Sequence, residues 1–159
     1  MAQRQSYREG DWFAAPLGDG RYVLGRISRH AQGIVFAYFF APPLDHLPTL
    51  EELGERRADD AFTQLRFSDL GLHDGDWPVL GQTGRWDREA WPLLEFENRL
   101  DVRGGPDVLY AVRLAENTVS REVSVKRVDL SEAGKRPTQD LFGAEAAIIH
   151  LREMLDELS

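Results

Sequence analysis

The chain has 159 residues, enough for one hydrophobic core and too few for two independent ones, so a single domain over residues 1–159 is expected. Its composition, 42% hydrophobic and 29% charged, excludes the disordered and fibrous classes. The absence of cysteine excludes disulfides, thiolate metal sites and thiol nucleophiles, and a net charge of -8 disfavours nucleic acid as a partner.

Asp11 to Ala15 leads through Pro16 into Gly18-Asp19-Gly20, whose glycines permit positive φ, and a hairpin is predicted with Tyr22 to Ser28 as its second arm. After Ala31-Gln32-Gly33 comes Ile34 to Phe40, a β-branched and aromatic run apolar on both faces, hence a central, buried strand. It is the longest apolar run, too short to span a bilayer, and the opening residues MAQRQSYREGDW lack the apolar segment of a signal peptide. A cytoplasmic protein without membrane contact is expected.

Pro42, Pro43 and Pro48 should end the sheet pattern, and Thr49 before Glu51 and Glu52 reads as the N-cap of a short helix or loop. Phe62 to Phe67 alternates as a strand and runs into a Gly- and Asp-rich connection from Ser68 to Asp76. Trp77 to Leu80 and Trp91 to Phe96 are read as short strands, with Pro78 and Pro92 at edges because neither can donate to a ladder. Beyond Gly104-Gly105-Pro106, Val108, Tyr110, Val112 and Leu114 share one strand face, and Val119, Val123 and Val125 share a face of the next, predicting a half-exposed hairpin. Ser131 to Gln139 is a connection. Ala144, Ala147, Ile148, Leu151, Met154, Leu155 and Leu158 then form a stripe at helical spacing. The fold class is therefore mainly β (α+β): a curved antiparallel sheet or partly open barrel with a C-terminal helix packed on it.

The inventory of reactive groups is sparse. Gly18, Gly20 and Gly25 superficially suggest a nucleotide-binding loop, but they join two strands where that motif needs a strand followed by a helix. There is no Gly-x-Ser-x-Gly elbow, no phosphate-loop lysine and no zinc-protease histidine pair. His73-Asp74-Gly75-Asp76 is the one dense group of metal-ligand types, and its spacing matches no ligand loop; Asp and Gly there suit a solvated turn. His30, His46 and His150 stand isolated, and Glu95 and Glu97 would need a cleft to act as a carboxylate pair. The reading is a non-enzyme without cofactor or metal. Trp12, Trp77, Trp86 and Trp91 serve either as core or as interface anchors.

Charge is distributed unevenly. Residues 41–101 carry 6 basic and 14 acidic side chains, and this excess would steer a basic partner towards that region.

Three segments together carry a resemblance: GDWFAAPLGDGRYVLGRI from Gly10 to Ile27, GIVFAYFF from Gly33 to Phe40, and GDWPVLG from Gly75 to Gly81 followed by Trp91-Pro92 and Phe96. Over roughly the first two thirds of the chain this resembles the immunity protein 26 family of bacterial polymorphic toxin systems. The resemblance implies a mostly β, non-catalytic protein that protects the producing cell by binding a cognate protein toxin. With the charge map it places the expected partner-binding residues at Asp59, Asp60, Asp69, Asp74, Asp76 and Trp77, capping a basic toxin surface such as the substrate groove of a nuclease. The rival reading is a small SH3-like regulatory or nucleic-acid-associated module. Its basic surface would have to come from Arg4, Arg8, Arg21, Arg26 and Arg29, where the net charge is only +2.

Overall fold

A computed structural model describes residues 4–159. The strands are β1 (Trp12–Pro16), β2 (Tyr22–Ala31), β3 (Ile34–Leu44), β4 (Thr63–Ser68), β5 (Val79–Gly81), β6 (Phe96–Leu100), β7 (Val108–Leu114), β8 (Glu122–Val128) and β9 (Leu141–Phe142); the helices are a single turn, α1 (Leu70–His73), and α2 (Ala144–Leu158). They form a six-stranded sheet in the order β5-β1-β2-β3-β4-β9 and a three-stranded sheet in the order β6-β7-β8. Pairing is antiparallel except between β4 and β9. The expected mainly β fold with a closing helix is present, but as two sheets, and the larger does not close into a barrel.

β3 explains the layering. Its side chains alternate across the sheet, so Val35, Ala37 and Phe39 face one side and Phe36, Tyr38 and Phe40 the other, all buried. The first set packs with Phe13, Val23, Ile27, Leu65 and Phe67 against Ala147, Leu151 and Leu155 of α2. The second packs with Trp12, Leu24 and Trp91 against Phe96 and Val112 of the small sheet. Each large apolar side chain so enclosed contributes about 1.5–3 kcal/mol. A strand apolar on both faces thus lies in the middle of three layers, as its sequence requires.

Several local expectations are corrected. Gln32 and Gly33, at φ 51° and 82°, make the two-residue turn between β2 and β3. Pro42 and Pro43 do not end β3: Leu24 pairs with Phe40 and Tyr22 with Leu44, so a bulge carries the ladder past both prolines. Trp77 precedes β5 and is not in a strand. Trp91 to Glu95 is irregular because its carbonyls are taken by side chains of the large sheet: Ser28 Oγ donates to Trp91 O at 2.6 Å and Tyr38 Oη to Pro92 O at 2.6 Å. Val119 is not in β8; it sits fully buried in a turn at φ 56°, held by N–H donation to Ala115 O and by Arg66, which donates to its carbonyl at 2.9 Å. Val123 and Val125 remain 53% and 51% exposed.

Arginines fill polar positions between the sheets. The Arg26 guanidinium lies 4.8, 4.7 and 4.8 Å from the rings of Trp12, Trp86 and Trp91 and donates to Gly10 O at 3.0 Å. Burial pushes its pKa down to about 10, with Asp11 opposing the shift, and the ring faces stabilise the charge that remains. Three of the four tryptophans are accounted for by this one side chain.

Candidate functional site

The acidic residues are set by β4, whose six residues, at about 3.3 Å each, hold their flanks some 20 Å apart. Asp59 and Asp60 lie in a 3-10 turn before β4, where Asp59 borders a cavity of about 270 Å3 with Arg56, Arg57 and Trp91. Asp69, Asp74 and Asp76 lie beyond its other end, around α1. The expected single patch is therefore two.

Around α1 the chain is tied down by backbone hydrogen bonds: His73 N donates to Asp69 O at 2.7 Å, Asp74 N to Leu70 O at 2.9 Å and Trp77 N to Gly71 O at 2.9 Å. Gln5 closes the arrangement, donating from Nε2 to Trp77 O at 2.5 Å and accepting from Val79 N at 3.2 Å. Trp77 cannot serve as an exposed anchor: it is 3% exposed and stacks on Phe13 at 6.0 Å between ring centres. The signal that separates it from an interface tryptophan is tertiary, since Gly71 leaves room for its indole and a Cβ there would stand 2.6 Å from Nε1.

Asp69 is engaged as well. Its carboxylate accepts from Tyr7 Oη at 2.6 Å, and burial, reinforced by this bond, pushes the Tyr7 pKa far up. Asp74 and Asp76 are exposed and border an open cavity of about 620 Å3 whose far wall is the start of α2, including Ala144, Glu145 and Ile148. Leu70 on the near wall is 57% exposed. Among the described residues no ion pair involves Asp74, Asp76 or Glu145. Glu145 and Leu70 are additions that sequence reading missed: Leu70 lies on α1 between the aspartates, and only the approach of α2 to α1 brings Glu145 to them.

A slightly larger cavity, about 670 Å3, lies by β7 and β8 and includes Leu93, Leu94, Leu114, Glu95 and Glu116. Its carboxylates are already matched: Arg136 pairs with Glu95 at 2.7 Å and Arg29 with Glu116 at 2.6 Å. It therefore presents much less free negative charge than the α1–α2 groove. Among the described residues, no group of three His, Asp or Glu side chains is placed to hold a metal ion, and no helix is long and apolar enough to cross a membrane.

The α1–α2 groove can bind a basic, partly apolar surface; nothing in its geometry pairs an acid with a base for proton transfer. No curated protein and no solved structure matches the chain. The family model described as Immunity protein 26 matches residues 8–105, from the turn that leads into β1 through β6, including α1 and its aspartates. Matched over more than half its length, with the glycine, tryptophan and phenylalanine positions that build both cores inside that match, the chain belongs to the immunity protein 26 family.

Proposed function

We propose that the protein acts in the bacterial cytoplasm as the immunity partner of a cognate toxin domain, which it neutralises by covering a basic functional surface with the α1–α2 groove. One observation carries this reading: Asp74, Asp76 and Glu145 border an open cavity with no ion pair among the described residues, beside the exposed Leu70. Unpaired carboxylates accelerate encounter with a basic surface, and an apolar side chain beside them slows dissociation once water is expelled. A nuclease, whose substrate groove is basic because it must hold phosphates, has the kind of surface such a patch fits.

The test is co-expression with a cognate toxin domain, with association rates measured on the purified pair. Asp74→Asn combined with Asp76→Asn is expected to slow association at low salt by about tenfold and to weaken protection. Asp59→Asn with Asp60→Asn, at the other end of β4, should leave both unchanged. If the two double variants behave alike, the groove is not the toxin-binding surface.

A further inference from the structure

Asp74 and Asp76 owe their place to the backbone that carries them. Among the described residues no ion pair holds either carboxylate. The single turn α1 that precedes them has four residues, far below the length at which a helix stands by itself. Contacts from outside the segment must fix it.

Gln5 supplies them at both ends of the turn. Asp74-Gly75-Asp76 lies between His73 and Trp77, and both flanking carbonyls accept from this one residue: His73 O from the Gln5 backbone N–H at 3.0 Å and Trp77 O from its Nε2 at 2.5 Å. The same side-chain amide accepts from Val79 N at 3.2 Å. Pro78, between Trp77 and Val79, has no N–H, and its carbonyl accepts from Ala14 N of β1 at 3.0 Å. The planar amide of Gln5, with a donor and an acceptor side by side, thus satisfies the two backbone groups that flank Pro78. Its neighbours hold the same line. Gln5, Tyr7 and Glu9 are half-buried while Arg4, Ser6 and Arg8 are exposed, so alternate residues face the molecule. Tyr7 packs on the first core and donates to Asp69, the residue before α1, and Glu9 O accepts from Gln82 Nε2 at 3.0 Å beyond β5.

We propose that Gln5 is a positioning residue of the α1–α2 groove, and that residues 5–9 form a strap that holds Asp74 and Asp76 in the arrangement the groove presents. The hold on the turn belongs to the free chain; its effect on binding rests on the groove being the toxin-binding surface.

NMR relaxation and amide exchange on the full chain without toxin test the strap. In the unmodified protein the amides of Asp74, Gly75 and Asp76 are expected to be as ordered as the strands, with order parameters of about 0.85. Gln5→Ala, and Gln5→Met, which keeps the length of the side chain without its donor or acceptor, should each lower them to about 0.6 or below and speed exchange of the Trp77 and Val79 amides by about tenfold or more. Val112→Ala, in the second core, is the control: it lowers Tm and should leave the turn ordered, so that lost stability by itself does not reproduce the effect. In the complex with a cognate toxin domain, both Gln5 variants keep every charge of the groove. Association and its salt dependence should therefore stay within about twofold, while dissociation speeds about tenfold because the aspartates are no longer preorganised. A turn that stays ordered and protected in both Gln5 variants, or that Val112→Ala mobilises equally, would overturn the strap. Unchanged dissociation from a toxin whose complex Asp74→Asn with Asp76→Asn does weaken would overturn the positioning role. Where that double variant also leaves the complex unchanged, the groove reading fails and the relaxation result alone decides the strap.

Discussion

Gly25→Ala is expected to destabilise the protein substantially, although alanine is the better residue in a strand and restricts the unfolded chain more. Gly25 pairs with Phe13 across the β1–β2 ladder, and the Phe13 ring lies over the glycine. A Cβ would stand 2.7 and 2.9 Å from the ring Cε atoms, closer still to Cζ, where carbon atoms want about 3.5–4.0 Å. The ring has nowhere to go: Trp77 stacks on it at 6.0 Å, Phe39 meets it edge-on at 5.7 Å and Phe67 lies at 6.0 Å. Overpacking a filled core costs about 1–3 kcal/mol, and with three immobile aromatic neighbours the upper end applies. Deducting the intrinsic gain leaves a net loss of about 2–3 kcal/mol, and at this chain length each kcal/mol lowers Tm by about 2–4 °C. Thermal denaturation followed by circular dichroism should therefore show a fall of about 5–10 °C. Phe13→Leu relieves the clash, so the double variant should be more stable than the two single losses predict, by about 1 kcal/mol or more. A Gly25→Ala protein melting within about 1 °C of the parent, or strictly additive losses, would refute the packing account.

Trp77 and Leu70 should separate stability from binding. Trp77→Leu opens a void in the first core and should cost about 3 kcal/mol, whereas Leu70→Ala, at an exposed site, should change Tm by less than about 2 °C and weaken the toxin complex. Equal effects of both on Tm would contradict the placement of Trp77 in the core. His46 should titrate above the ordinary histidine value of 6.5, because its ring nitrogens lie 2.8 Å from the Asp45 carboxylate and 2.5 Å from that of Glu52. Since the folded value is raised, its contribution to stability is complete below the unfolded value and is lost as pH rises through the folded one. An NMR titration in which His46 titrates at or below 6.5, or in which Glu52→Gln leaves its midpoint unmoved, would contradict that pairing.

The elements that repeat with a regular period are legible in the amino-acid sequence. The first hairpin, the doubly apolar β3 and the stripe of α2 each follow from which residues are apolar at spacing two or 3.6, because backbone geometry alone decides which side chains share a face. The segments misread lack such a period. Trp91 to Glu95 has strand-forming residues but spends its carbonyls on Ser28 and Tyr38, more than fifty residues away in sequence. The two-residue β9 exists only because the approach to α2 runs alongside β4.

The sequence by itself determined the mainly β class, the central strand, the C-terminal helix and the likeness to the immunity protein 26 family, since all of these reside in residue types and their spacing. Tertiary structure alone decided where the charges stand. An acidic excess counted along residues 41–101 became two patches because β4 is stiff and extended, and one of them became a groove because α2, from outside that segment, brought Glu145 to Asp74 and Asp76. It decided Trp77 in the same way: an indole is equally suited to a core and an interface, and only the space left by Gly71 beside Phe13 placed it inside.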